Sequence, residues 1–380
     1  MSRAPEVPPG VQVPPATPAL QATDISALYD IMDFEQKGTG AFSRVVVGRN
    51  KNENVLRAIK IMERETLVGK MADMVVHEKE ILRRVNHKSI VRLHRCVQTK
   101  EKVYFELDLM DGDLFNYIVK HKKLSERDTA LVMRQLFSAV EYLHSIHIIH
   151  RDIKPENILI NSPSDIKLAD FGLAKVLTAW TVNSTPCGTS FYIAPEIIRG
   201  IELQGAKPLC TNREEVKFVD LWSCGVVMFV LLAGRPPFSG QVKTPSERKA
   251  LLTKIDRGVL FPEAQWQTIS EDAKDLILGM LCQDTHRRLT ATQALGHRYF
   301  DAILQDKKTT ERDAEQKHEA PLLEGPELKQ QLNELQQGIV EHVDGEKDAD
   351  NSYRPPEVAA VQQPTEVKQG GAMKRLPGQK

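Results

Sequence analysis

Cysteine is scarce in this chain. Its five cysteines, Cys96, Cys187, Cys210, Cys224 and Cys282, are scattered along 380 residues, and no two form a CxxC pair. That spacing indicates neither a zinc cluster nor a disulfide framework, so an intracellular, reduced protein is the expectation. Long apolar stretches are missing too. No run approaches the length of a membrane span, and the N-terminal "MSRAPEVPPGVQVPPATPAL" lacks the apolar core of a signal peptide. Net charge is absent overall, with 51 basic side chains against 51 acidic ones. The balance hides an uneven spread: residues 34–300 carry about +8, and the two ends together about −8. A mildly basic body suits phosphate handling but is not basic enough to argue for nucleic acid. No internal repeat is visible. These absences lead us to expect a cytoplasmic protein, with the nucleus left open, that engages neither membrane nor nucleic acid.

Enough apolar residue is present for a sizeable core: 41% of the chain is hydrophobic. The length allows two ordinary domains with disordered ends. Residues 1–29 are expected to form a disordered arm, proline-rich and polyproline-like over 1–22. Its Pro5–Pro8 and Pro15–Pro18 spacings fit PxxP, which leaves an adaptor role as one alternative. From about residue 30, strand-like runs appear at "SRVVVGRN", "VLRAIKIM", "SIVRLHRCV" and "VYFELDLM". Between them "DMVVHEKEILRRVN" has helical spacing, with Val75, Ile81, Leu82 and Val85 apolar. Helices dominate after residue 113. "ERDTALVMRQLFSAVEYLHSIH" is strongly periodic, and "FVDLWSCGVVMFVLLAG" is apolar enough to be buried all round. The pattern is α+β: a small strand-rich part, then a larger helical one. Residues 301–380 turn polar and acidic and read as largely disordered. One amphipathic helix is expected there near 326–343, with Leu328, Leu332, Leu335, Ile339 and Val343 on one stripe.

Five stretches carry chemistry. The first is "QKGTGAFSRVVVG", residues 36–48, where Gly38 and Gly40 permit backbone angles that other residues resist. Such a turn lays backbone N–H groups over a phosphate, or is a plain hairpin; alone it does not decide. "LRAIKIM" supplies Ala58 and Lys60. "IIHRDIKPENILI" sets His150, Arg151, Asp152, Lys154 and Asn157 between two apolar runs. At ~5% usage per residue type, such a five-position match to H-R-D-x-K-x-x-N arises by chance roughly once in ten thousand chains of this size. "LADFGLAK" brings Asp170-Phe171-Gly172, and "CGTSFYIAPE" ends in Ala194-Pro195-Glu196. Their order carries more weight than any one of them.

In that order the stretches resemble the eukaryotic protein kinase family, serine/threonine type, over about residues 30–300. The resemblance implies a two-lobed fold with a β-rich N-lobe and a helical C-lobe, with ATP and Mg2+ as cofactors. It implies that Gly38, Gly40, Ala41, Phe42, Ser43 and Val45 cover the nucleotide, together with Ala58, Lys60, Asp108, Met110 and Leu159. A carboxylate must hold Lys60; Glu78 and Glu80 compete, and Glu78 has the family's spacing to His87. Asp170 and Asn157 supply the hard oxygens that magnesium wants. Asp152 is the expected acceptor for the substrate hydroxyl, and Lys154 the steadier of the moving phosphoryl group. Leu82, Leu93, His150 and Phe171 match the family's stack between the lobes, Asp220 its buried anchor, and Glu196 with Arg288 its structural ion pair.

The resemblance further implies, from Lys154 and Thr189, serine/threonine substrates, from Leu173, serine over threonine, and from Asp113 with Glu156, arginine upstream. It likewise implies that Thr185 is an activating threonine whose phosphate would be held by Arg151. Protein substrates are therefore the expected partners, with room for an upstream activating kinase. Within the family "GTGAFSRV" and "DLWSCGVVMFVLLAGRPPF" are similar to the calcium/calmodulin-dependent group. The chain departs from it at Lys37, where an apolar residue usually roofs the adenine. It also departs in the long "IRGIELQGAKPLCTNREEVK" and in having no basic amphipathic segment after residue 300, so calmodulin is not an expected partner. A catalytically dead scaffold is the alternative, yet none of the motif positions is degraded.

Overall fold

Successive side chains of a strand point to opposite faces, and the first third of the chain fills both. The computed structural model describes residues 20–21, 25–39, 43–176, 190–202 and 215–304. Six strands form one sheet: β1 (Leu20–Gln21), β2 (Tyr29–Thr39), β3 (Ser43–Asn50), β4 (Val55–Glu63), β5 (Leu93–Gln98) and β6 (Lys102–Leu107). Their order is β1-β5-β6-β4-β3-β2, antiparallel except for β1 along β5. Register puts Val45, Lys60 and Phe105 in one row and Val47, Ala58 and Leu107 in the next. Rows on this face turn toward helix α1 (Lys70–Arg84), whose Ile81, Leu82 and Val85 join the same core. The opposite face carries Val46, Ile59, Ile61 and Tyr104, covered by Ile25, Leu28 and Tyr29.

That cover shifts the boundary of the folded part. The chain enters the sheet at Leu20, within the span expected to be a disordered arm. A buried carboxylate ties down the next part: Glu106 accepts the Tyr29 hydroxyl and the Asn50 amide (2.9 Å), with Arg57 and Arg95 at 3.5 and 3.7 Å. Tyr29 is fixed by that demand. Residues 1–19 and the expected helix near 326–343 lie outside the described residues.

After residue 111 helices take over. Short strands β7 (Gly112–Asp113), β8 (Ile148–Ile149), β9 (Ile158–Ser162), β10 (Asp165–Leu168) and β11 (Lys175–Val176) accompany α2 (Leu114–His121) and α3 (Glu126–Ser145). Then come α4 (Pro195–Glu202), α5 (Phe218–Ala233), α6 (Pro245–Asp256), α7 (Glu263–Trp266), α8 (Glu271–Met280), α9 (Ala291–Leu295) and α10 (Arg298–Leu304). Side-chain caps start many of them. Ser125 accepts the Asp128 N–H, and Thr244 with Glu247 closes a capping box.

Helix α5 is the axis of this lobe. With the turn before it, residues 215–233 are long and apolar enough to cross a membrane, contrary to the expectation that no such run exists. Its place in the fold explains the composition: 83% of that window is buried in the protein, between α3 and α8. Arg288 locks its start, with both guanidinium ends on Glu196 (2.7 and 3.0 Å) and a third bond to the Phe218 carbonyl (2.8 Å).

Gly225 lets α8 approach α5. A Cβ there would lie 2.9 Å from the Met280 Cβ, which is fixed to its own backbone, and 2.9 Å from Leu281. Gly225→Ala should therefore destabilise the lobe by about 1–3 kcal/mol, as overpacking does. Chemical denaturation of the two proteins measures this, and equal stability refutes the close packing.

Candidate active site

The functional side chains hang from the facing surfaces of the two lobes. Lys60 sits mid-strand in β4, on the face that α1 covers. Its ammonium meets both oxygens of Glu78, at 2.7 and 2.9 Å. Glu78 is buried on α1, while Glu80 is exposed two residues on, so helical geometry separates the two candidates. Burial alone would lower the Lys60 ammonium pKa, but Glu78 and Asp170 outweigh it and hold it above its ordinary range.

The loop between β8 and β9 is shaped by one buried side chain. Asp220, on α5, accepts the His150 N–H (3.0 Å), the Arg151 N–H (2.8 Å) and His144 Nε2 (2.9 Å). Arg151 can then hold a left-handed backbone, φ 69°, which a non-glycine residue adopts only when its surroundings fix it. Burial alone would raise the Asp220 carboxyl; the His144 hydrogen bond and neighbouring charge hold it below the ordinary value of 3.8. His150 is fully buried. Its Nδ1 accepts the Asp152 N–H and its Nε2 faces the Ala169 carbonyl, so the ring is the neutral Nε2–H tautomer. Such a histidine supports the loop and is no base.

Three polar side chains emerge from that loop. Lys154 Nζ and Asn157 Nδ2 both donate to Asp152 Oδ2, at 2.9 and 2.8 Å, and Asn157 also bonds the Asp152 carbonyl. Asp152 Oδ1 accepts no hydrogen bond among the described residues. With its nitrogen so engaged, Asn157 presents its amide oxygen elsewhere. Asp170 is exposed and left-handed (φ 61°), and its neighbour Phe171 is buried edge-on to His150, ring centres 4.9 Å apart. Leu82 joins them in one core, and Leu93 packs against it. An amide oxygen and a carboxylate are the hard donors that fit Mg2+.

The remaining expected residues fall as follows. Gly38 pairs with Val45 in the β2–β3 register, and the register breaks at Lys37. Gly40, Ala41, Phe42, Thr185 and Thr189 lie outside the described residues. Ser43 opens β3, Met110 is buried, and Leu159 lies half-buried on β9 opposite Lys167. Asp108 leaves β6 with its carboxylate engaged by His94, Lys167 and a backbone N–H, so only its backbone is left for a nucleotide. Asp113 caps α2, both oxygens taking hydrogen bonds from Asn116. Glu156 differs: its Oε2 is buried with no hydrogen-bond partner. Burial, together with the charges of Asp152 and Asp113, pushes its carboxyl upward. His94, Lys167 and His144 were not singled out from sequence, because each meets its partner only through the fold.

A lysine braced by a carboxylate, facing a second carboxylate and a loop with aspartate, lysine and asparagine, is the equipment of phosphoryl transfer. Comparison with known proteins agrees, and the chain belongs to the protein kinase family, whose protein kinase domain matches residues 32–300. It is 37% identical over 279 residues to myosin light chain kinase A of Dictyostelium discoideum, covering 72% of this chain and 88% of that one. It is 38% identical over 266 residues to calcium/calmodulin-dependent protein kinase type 1 of Macrobrachium nipponense, covering 68% and 72%. With the type 1B enzyme of Rattus norvegicus it shares 36% over 290 residues, covering 75% and 79%. The protein is an ATP-dependent serine/threonine protein kinase.

Asp220 provides a test of the loop's anchor. A carboxyl held below its ordinary pKa stabilises the fold fully above that value and loses the contribution as pH falls through the folded one. Asp220→Asn should cost about 3 kcal/mol near neutral pH, as for other broken buried networks. The gap to the wild type should begin to narrow as pH falls below the ordinary carboxylate value and close as it falls through the lower folded one, where the native carboxyl also takes up its proton. Melting curves across pH check it; a gap that is constant with pH refutes it.

Proposed function

We propose that this kinase phosphorylates serine, in preference to threonine, in protein segments with arginine upstream, and that a phosphate on Thr185 switches it on. The observation that carries the substrate reading is the unpartnered, buried Glu156 oxygen beside the Asp152 loop. A buried carboxylate oxygen left without a donor is costly, and a guanidinium from the substrate supplies donors and the opposite charge. Asp113 adds negative charge nearby, although its oxygens already cap α2. Leu173 after the Asp170-Phe171-Gly172 turn supports the serine preference by family resemblance.

The chemistry follows from the site. Lys60 binds the α- and β-phosphates, held in place by Glu78. Asp170 and the Asn157 amide oxygen are the residues that would hold Mg2+, whose charge offsets that of the phosphates. The substrate hydroxyl hydrogen-bonds Asp152 Oδ1. As its oxygen bonds the γ-phosphorus and the bond to the β–γ bridging oxygen breaks, the hydroxyl proton passes to Asp152 and ADP leaves. Lys154, fixed on Asp152 Oδ2 at 2.9 Å, neutralises charge on the transferring group.

Regulation rests on Arg151. Its guanidinium makes no hydrogen bond among the described residues, and burial lowers its pKa despite the nearby Asp220. A phosphate on Thr185 brings about −1.5 to −2 charge and accepts paired hydrogen bonds from such a group. Calcium and calmodulin, named in two of the relatives, are not expected to act on this chain, since no basic amphipathic segment follows residue 300.

Asp152→Asn should cut kcat by about 10²-fold or more with ATP affinity nearly unchanged. Steady-state kinetics on a good peptide and nucleotide titration check this, and full turnover refutes the assignment. Glu156→Gln should reduce the preference for arginine over alanine peptides about tenfold, the loss of one charged contact. A positional peptide library read with both proteins decides it; an unchanged arginine preference refutes the role. Thr185→Ala should lower activity severalfold in protein pre-treated with an activating kinase. Fully active protein whose Thr185 is unmodified by mass spectrometry rules the switch out.

A further inference from the structure

Asp108 stands where the chain leaves β6 for the second lobe. Its Oδ1 accepts His94 Nε2 at 2.7 Å, from β5. Its Oδ2 accepts the Arg92 N–H at 3.1 Å and Lys167 Nζ at 3.1 Å. Lys167 belongs to β10, on the other side of the cleft, and its ammonium also donates to the Lys88 carbonyl at 2.9 Å. The same strand is bonded to the segment after α1 by Leu168 N–H to Ser89 and Val91 N–H to the Leu168 carbonyl, both 2.9 Å. Three pieces of chain therefore meet at one carboxylate: the connector between lobes, β5, and the strand that runs into Asp170. The Asp108 carboxylate and the Lys167 side chain are only 17% and 20% exposed, so water screens the pair poorly. Burial alone would raise the Asp108 carboxyl, yet His94 and Lys167 hold it well below the ordinary carboxylate range.

We infer that Asp108, His94 and Lys167 form a positioning clamp that sets the connector at a fixed distance from β10, and so tunes ATP affinity. The inference rests on the reading of Lys60 and Asp170 as the nucleotide-holding residues. The connector's backbone meets one end of the nucleotide and Asp170 the other. Leu159, paired with Lys167 in the β9–β10 register, is the residue expected to line the nucleotide from this side. Both ends must keep their spacing for one molecule to satisfy them, and the clamp ties one to the other. The clamp coexists with an intact Lys60–Glu78 pair, so it belongs to the assembled site.

Lys167→Met tests it. We expect ATP Kd and KM to rise about fivefold or more, the usual lower bound of coupling between linked sites. KM for peptide should stay within about twofold. His94→Gln should shift ATP affinity in the same direction, and Lys167→Arg should restore it. Lys102→Met, which removes an ion pair with Glu63 (2.9 Å) elsewhere on the sheet, should leave ATP affinity unchanged. A Lys167→Met protein that melts earlier but binds ATP as the wild type does would make the contact purely architectural and overturn the inference. So would faster turnover at unchanged ATP affinity, or failure of Lys167→Arg to rescue. Lys60→Met is the separate check on the site reading: full turnover in that variant sinks the reading and the clamp together, whereas loss of turnover there with normal ATP binding in Lys167→Met sinks the clamp alone.

Discussion

A single carboxylate, buried under the catalytic loop, is what the active site depends on most. Asp220 holds two consecutive backbone N–H groups and an imidazole, all from other parts of the chain. Without it the left-handed turn at Arg151 has nothing to stabilise it, and His150 loses the tether that orients its ring against Phe171. Asp152 follows directly, since its N–H is bonded to that same ring. The order of dependence runs from helix α5 through Asp220 to the loop, and from the loop to the groups that face the substrate. This is why so apolar a helix carries one aspartate at all.

The two halves of the site are fixed by different physics. Lys60 and Glu78 are both on regular elements, a strand and a helix, and their meeting is set by helical geometry, which turns Glu78 inward and Glu80 to solvent. The loop backbone instead hangs from Asp220 of α5. Its side chains are then ordered by hydrogen bonds within the loop, with Oδ2 of Asp152 shared between Lys154 and Asn157. One carboxylate oxygen is thus given over to internal order, and the other accepts no hydrogen bond among the described residues.

Much of this was legible in the sequence because phosphoryl transfer constrains residue types as well as spacings. The histidine–arginine–aspartate run, the Asp170 turn and the Lys60 strand are local patterns, and local patterns survive in a linear reading. The strand expected from Ser89 begins only at Leu93, because the backbone of residues 89–91 bonds Leu168 instead of a sheet neighbour. Contacts such as His144 with Asp220, 76 residues apart, have no linear signature. Nor had the start of the folded part: Leu20, Ile25, Leu28 and Tyr29 are too few and too irregular to show a period. For Tyr29 the role depends on Glu106, a charge in an otherwise strand-like run.

Helix α5 has a consequence for how the chain is made. Its apolar surface is covered on one side by α3, which leaves the ribosome earlier, and on the other by α8, which emerges about forty residues later. Throughout that interval a stretch with the composition of a membrane span has one flank open to water. Nascent chains stalled in that window are the species most exposed to aggregation and to capture by chaperones, while the completed lobe buries most of that surface.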